Sequence, residues 1–203
     1  MGKTTVALDG DRTHVRTQET NLGNLIADTM LAKAAELKGA TLAIMNGGGI
    51  RASIEEGPIT LGQIKTVLPF DNSLTILDVT GEQIIQALEN GISKAEAQEG
   101  AFPQIAGMRF VWNKAAKPGN RIVRVETKNQ DGSYTVLDPA KTYRMATVKF
   151  LSDGGDGYTM FTEAKNKEDL YIADYDAFVD YVKAHGGTVI PKVEGRILEQ
   201  SAK

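Results

Sequence analysis

Asn46-Gly47-Gly48-Gly49-Ile50-Arg51 follows directly on Thr41-Leu42-Ala43-Ile44-Met45. The five earlier residues make an apolar run of strand length, so the six later ones fall where a strand meets its loop. Three successive glycines lack a Cβ and reach positive φ, which lets their amides come close to a small molecule. Asn46 brings a donor and an acceptor to the lip of that loop, and Arg51 brings a planar fork matched to phosphate. The same six residues also read as a glycine-rich turn with a surface arginine. Gly47-x-Gly49-x-x-Ala52 has the loose spacing of a dinucleotide fingerprint, but that site requires a helix to open at the loop. Glu55-Glu56-Gly57-Pro58 ends any such helix within a few residues, which excludes it.

On the N-terminal side, Leu22, Leu25, Ile26, Thr29 and Met30 recur at helical spacing from Asn21 to about Leu37, and Gly39 closes the helix. Asn21 stands where a capping side chain belongs. Residues 15–19 before it read as extended, after a turn at Asp9-Gly10-Asp11-Arg12. On the C-terminal side, residues 54–58 form a turn, and Thr60 caps a short helix carrying Leu61, Ile64 and Val67 that Pro69 stops. Residues 73–79 make a strand apolar on both faces, as a central strand is. Thr80-Gly81-Glu82-Gln83 has capping-box spacing and opens a helix with Ile84, Ile85 and Leu88 inward.

Strands follow at 108–112, 121–126, 134–137 and 143–148, joined by turns such as Pro118-Gly119 and Asp131-Gly132. A last amphipathic helix, 174–185, turns Tyr175, Phe178, Val179 and Val182 inward and ends at Gly186-Gly187. A final strand lies near 192–198. The first half alternates helix and strand and the second is mainly antiparallel, so the predicted class is α+β: mixed β-sheets with flanking helices.

With 203 residues, 41% hydrophobic and 24% charged, the chain can bury a sizeable core. Its formal charge of -3 lacks the basic excess of a nucleic-acid binder. No apolar stretch approaches the roughly 20 residues that span a bilayer. The chain contains no Cys, so disulfides and thiolate chemistry are excluded and the compartment stays open. Met1-Gly2-Lys3 lacks an apolar signal region, and the expectation is a segment cut from a longer protein.

His14 and His185 are too few for a metal centre, and neither a Ser/His/Asp arrangement nor a phosphate loop ending in Gly-Lys-Ser/Thr occurs. Phe70 and Phe150 each stand at a loop edge, where two rings can sandwich a flat ligand; they read equally as core anchors. Asp153 and Asp156 sit in a glycine-rich loop that hints at calcium, but the full ligand series is missing. A carboxylate there can instead accept hydrogen bonds from sugar hydroxyls. Arg16 alone reads as a surface arginine. These residues make a binding site without catalytic machinery.

Taken in order, Arg16-x-x-Glu19-x-Asn21-Leu22-Gly23-Asn24-Leu25, Asn46-Gly47-Gly48-Gly49-Ile50-Arg51, Leu68-Pro69-Phe70, Val79-Thr80-Gly81, Phe150 and Gly154-Gly155-Asp156-Gly157 together resemble one family over nearly the whole chain. It is the C-terminal domain of the 5'-nucleotidase family, which includes bacterial UDP-sugar hydrolases, ecto-5'-nucleotidases and 2',3'-cyclic-nucleotide phosphodiesterases. Residues 138–147 resemble the bacterial members.

The resemblance implies that residues 1–203 are one substrate-recognition domain, inactive alone. Hydrolysis of the phosphoester would fall to an N-terminal metallophosphoesterase domain with two divalent metals, whose Asp-x-His, Gly-Asn-His and Gly-His-x-His signatures do not occur here. No cofactor or metal is expected in this domain itself. Phe70 and Phe150 would sandwich the base of a nucleotide or nucleoside, Asn46 would bond to the base, and Asp156 would hold the ribose. Arg16 and Arg51 would steer the phosphate, with Gly48, Gly49 and Asn72 completing the site. Asp71 departs from relatives that carry Gly after the Phe. The resemblance also implies an extracytoplasmic location (periplasm, cell wall or secreted), and neither nucleic acid nor membrane insertion as a partner of this segment. Two other expectations are a non-catalytic nucleotide- or sugar-binding receptor module and calcium-stabilised adhesion through the 153–156 loop.

Overall fold

A computed structural model describes residues 1–200. Up to Trp112 the chain runs β1 (Gly2–Thr4), α1 (Asn21–Lys38), β2 (Leu42–Asn46), β3 (Gly57–Ile59), α2 (Leu61–Val67), β4 (Ser73–Thr80), α3 (Gly81–Ile92), β5 (Pro103–Ala106) and β6 (Met108–Trp112). Then come β7 (Ile122–Lys128), β8 (Tyr134–Val136), β9 (Thr142–Val148), the one-turn α4 (Lys149–Ser152), β10 (Lys165–Ala173), α5 (Asp174–Ala184), β11 (Thr188–Val189) and β12 (Ile197–Glu199). The strands form a five-stranded sheet in the order β10-β4-β9-β2-β5, a four-stranded sheet β12-β6-β7-β8 and a small sheet β11-β1-β3.

Helix α1 shows why these residues choose this form. The Thr20 hydroxyl accepts a hydrogen bond from the Gly23 amide at 2.9 Å, and Gly39 ends the helix in the left-handed region at φ 69°. Leu22, Ile26 and Met30 repeat on one side and are fully buried, each stabilising the fold by roughly 1.5–3 kcal/mol. That side packs across β2, β5 and β9. Thr60 and Thr80 both form complete capping boxes, with Gln63 and Gln83.

The pairing of the large sheet decides where the site falls. β4 runs antiparallel to β9, from Leu74 opposite Val148 to Thr80 opposite Thr142. β2 runs parallel to β9, and β5 antiparallel to β2 with Pro103 opposite Asn46. The ends of β2 and β9 and the starts of β4 and β5 therefore lie along one edge. Ala173, the last residue of β10, pairs with Ser73 at that edge too. The loops beyond these five strand ends are brought together by topology alone.

Several expectations need correction. Residues 15–19 are not extended: His14–Arg16 is a 3-10 turn, because the Asp11 carboxylate accepts from the Thr13 and His14 amides and curls the chain. Thr20, not Asn21, caps α1, while the Asn21 side chain bonds Asp9 N and Ala7 O. The predicted turn at 54–58 ends as strand, since Gly57 and Pro58 pair with Thr4 and Lys3. The halves are not separately alternating and antiparallel, because the central sheet draws on both and β12 pairs parallel with β6. β1, β5, β10 and β11 were not expected. β10 is an edge strand that begins with five polar residues, Lys165 to Asp169, the first four of them exposed, so its first half carries no apolar alternation.

A buried polar clasp fixes the C-terminal segment to α1. The Glu19 carboxylate accepts from Asn24 Nδ2 at 2.6 Å and from the amides of Glu194 and Arg196 at 2.7 Å each. Arg196 makes a bidentate pair with Asp28 at 2.8 Å on both nitrogens. No helix among the described residues is long and apolar enough to cross a membrane.

Candidate functional site

Loops at four of these strand ends, those of β2, β4, β5 and β9, line a cavity of about 540 Å³. That size suits a small organic molecule. Asn46 closes β2 and is followed by the 3-10 turn Gly47–Gly49. Phe70 and Asn72 lie in the entry to β4, Phe150 in α4 beyond β9, and Asp156 in the next turn. Arg16 enters from the turn before α1, and Gly48, Gly49 and Arg51 complete the wall. All nine residues singled out in the sequence line this cavity.

Phe70 is 56% and Phe150 46% exposed, so neither is a core anchor. Large rings left this open at a pocket mouth suit contact with a flat ligand. The Arg51 guanidinium lies 5.7 Å from the Phe70 ring centre, and its Nη1 donates to the Gly48 carbonyl at 3.3 Å. Gly155 supports the other ring: a Cβ there would sit 2.5 Å from Phe150 Cε2.

Arg16 is buried, with Nη1 donating to the Gln98 carbonyl at 3.1 Å and Nε left without a partner. Burial lowers its pKa, the like charges of Arg12 and Arg51 add to that, and the Asp156 carboxylate opposes it. An anion placed between Arg16 and Arg51 would relieve that repulsion. Asp156 takes a left-handed conformation (φ 51°) between Gly154 and Gly157, at φ 92° and 80°. Its Oδ2 accepts from Asn46 Nδ2 at 2.7 Å, and its carbonyl accepts from Asn90 Nδ2 at 3.1 Å.

The glycine loop works differently from the expectation. The Gly47 and Gly48 amides do not wait for a ligand; they donate to the carbonyls of Phe102 and Gly100 at 2.7 and 2.8 Å. A Cβ on Gly48 would sit 2.9 Å from the Gly100 Cα. The glycines are there so that two loops can touch. Gly100, which lines the cavity, was missed because a lone glycine beside Glu99 reads as an ordinary turn.

Asp153 turns away to pair with Lys149 and Lys167, while Asp156 faces Asn46. The calcium expectation fails on that divergence. Among the described residues no group of three or more His, Cys, Asp or Glu side chains is placed to hold a metal ion.

A glycine-rich turn, two open phenyl rings, two arginines and one carboxylate around a single cavity define a nucleotide-sized binding module. The profile of the family described as "5'-nucleotidase, C-terminal domain" matches residues 1–163, and the chain belongs to that family. It is 53% identical over 199 residues to the trifunctional nucleotide phosphoesterase protein YfkN of Bacillus subtilis, covering 98% of this chain and 14% of that protein. The crystal structure of a 5'-nucleotidase precursor from Thermus thermophilus superposes with a TM-score of 0.95 at 43% identity, covering 100% of this chain and 39% of that one. The NAD nucleotidase of Haemophilus influenzae superposes with a TM-score of 0.85 at 26% identity, covering 100% and 38%. The chain thus spans well under half the length of these relatives.

Proposed function

We propose that this chain is the nucleotide-recognition domain of a two-domain phosphohydrolase that removes phosphate from 5'-nucleotides, nucleotide sugars or cyclic nucleotides. The observation that carries the reading is Phe70, Phe150, Arg16, Arg51 and Asp156 converging on one cavity. The base stacks between the two rings, and the phosphate lies toward the arginines. Asp156 accepts from the ribose hydroxyls. Because Asn46 already donates to that carboxylate, it serves the ribose side in this reading, and Asn72 is the amide beside the base.

Residues 1–203 act as one recognition unit, and the reaction belongs to an N-terminal metallophosphoesterase domain outside this chain. Two divalent metals held there would supply a Lewis acid and an activated water. The residues described here bind and orient the nucleotide, and the arginines offset charge on its phosphate. The part-length match to YfkN and the Thermus enzyme supports that division. We place the parent protein outside the cytoplasm on family grounds, which the word "precursor" in the Thermus name also favours.

Titration of Phe70→Ala and Phe150→Ala with adenosine tests the sandwich. Each loses about 1–3 kcal/mol of binding. Unchanged affinity in folded variants removes it.

A further inference from the structure

Gln104 is the second residue of β5, fully buried and opposite Met45 of β2. A glutamine there has an NH2 and a carbonyl to satisfy away from water. It finds its partners in the turn before α1. Nε2 donates to the Val15 carbonyl at 3.1 Å and to the Gln18 carbonyl at 2.8 Å, and Oε1 accepts from the Thr20 amide at 3.3 Å. Two carbonyls on one side and an N–H on the other allow only this orientation of the side chain.

These partners bracket Arg16. Val15 precedes it and Gln18 and Thr20 follow, so one side chain fixes the backbone on both sides of the arginine. The Val15 carbonyl is also confined by the glycine turn, since a Cβ on Gly47 would lie 2.0 Å from its oxygen. Gly23, in the first turn of α1, keeps space for the Gln104 amide. The three atoms nearest to a Cβ added there all belong to Gln104, with Oε1 at 2.1 Å. Among the described residues the Arg16 guanidinium makes one hydrogen bond, to the Gln98 carbonyl. Its place in the cavity wall is therefore set largely by the backbone that carries it.

We propose that Gln104 is a positioning residue for Arg16, which sets how well the site holds a phosphate and leaves the base subsite as it is. This rests on the nucleotide reading of the cavity. An arginine fork pairs with phosphate only in a narrow range of distance and plane, and a displacement of about 1 Å loses most of that pairing. Phe70 and Phe150 are carried by other segments, the entry to β4 and α4, and none of the three Gln104 bonds reaches them.

The test is the ratio of AMP to adenosine affinity, by calorimetry, in the wild type and in Gln104→Met, which keeps the length of the side chain and none of its bonds. The ratio falls about tenfold, the worth of a hydrogen bond to a charged group, while adenosine affinity is unchanged. A purely structural loss lowers both affinities together and leaves the ratio alone. Gly23→Ala gives a second route: its Cβ displaces the Gln104 amide, removes no bonding group and favours the helix. It lowers the ratio in the same way. In an Arg16→Met background the ratio is already low, and adding Gln104→Met lowers it no further.

A wild-type ratio in folded Gln104→Met or in Gly23→Ala overturns the inference and leaves the nucleotide reading standing, as does a further fall in the double variant. A wild type that binds neither ligand, or both equally, overturns both.

Discussion

Asn46 Nδ2 donates to Asp156 Oδ2 across 2.7 Å, joining residues 110 positions apart. The bond runs from the end of β2 to the left-handed turn beyond α4. It holds one carboxylate oxygen in place, and on the nucleotide reading the carboxylate is left to receive the ribose. Asp156→Ala is therefore expected to weaken adenosine binding by about 1.5–3 kcal/mol, the worth of hydrogen bonds to a charged group. Binding of 2',3'-dideoxyadenosine, which lacks those hydroxyls, should change far less. Equal losses for both nucleosides would contradict the assignment.

Gly155 tests the ring opposite Phe70. Its added Cβ in Gly155→Ala meets Phe150 Cε2 at 2.5 Å and the Phe150 carbonyl oxygen at 2.6 Å, so the ring must move. Adenosine affinity should fall about tenfold, and because the Cβ also meets the Phe150 backbone carbonyl the melting temperature should fall as well, so affinity is read at a temperature where the variant is folded. A variant that binds adenosine as the wild type does would show that the ring's position is not used.

The clasp at Glu19 makes a prediction about stability alone. Glu19→Gln keeps the shape but sets an NH2 either against the Glu194 amide and Asn24 Nδ2 or against the amides of Arg196 and Ile197. Loss of about 3 kcal/mol is expected, read as a lower urea midpoint at unchanged slope. A midpoint within error of the wild type would mean that the C-terminal segment is held by other contacts.

Asp174 gives the pH dependence its sign. A carboxyl whose pKa in the folded state lies above its ordinary 3.8, at about 7, is favoured in its protonated form by folding. Its contribution to stability is present below about pH 4, falls as the pH rises toward 7, and levels off above that. The full span corresponds to roughly 4 kcal/mol as an upper bound. Other carboxylates, such as Asp153 and Glu96, are shifted down by Lys149 and Arg121 and act in the opposite sense. The quantity to measure is thus the melting temperature of Asp174→Asn minus that of the wild type. It should be larger at pH 8 than at pH 5, and equal differences would contradict the buried charge.

Much of this site was legible because each residue sits beside a local signal. Phe70 follows a helix stop at Pro69, Phe150 a strand end, and Asp156 a run of glycines. What the sequence could not supply was contact between distant loops. Gly100 and Gln98 meet the glycine turn and Arg16 only because β5 runs antiparallel to β2. The glycines at 47 and 48 signal close approach, but not whether a ligand or another loop makes it. Asp174 reads as an ordinary acidic residue in a first helical turn. Its burial comes from α5 packing back on β10 and α2, which periodicity does not show. β10 escaped for the converse reason: Lys165 to Glu168 are exposed on an edge, and pairing rather than burial makes them a strand.

Calorimetric titration of this chain with AMP and with adenosine, metal-free, tests the central claim most directly. The account predicts that both bind, through the Phe70 and Phe150 rings, and that AMP binds more tightly because its phosphate meets Arg16 and Arg51. The AMP advantage should shrink as salt is raised. Binding of neither, or of adenosine as tightly as AMP at low salt, would contradict it.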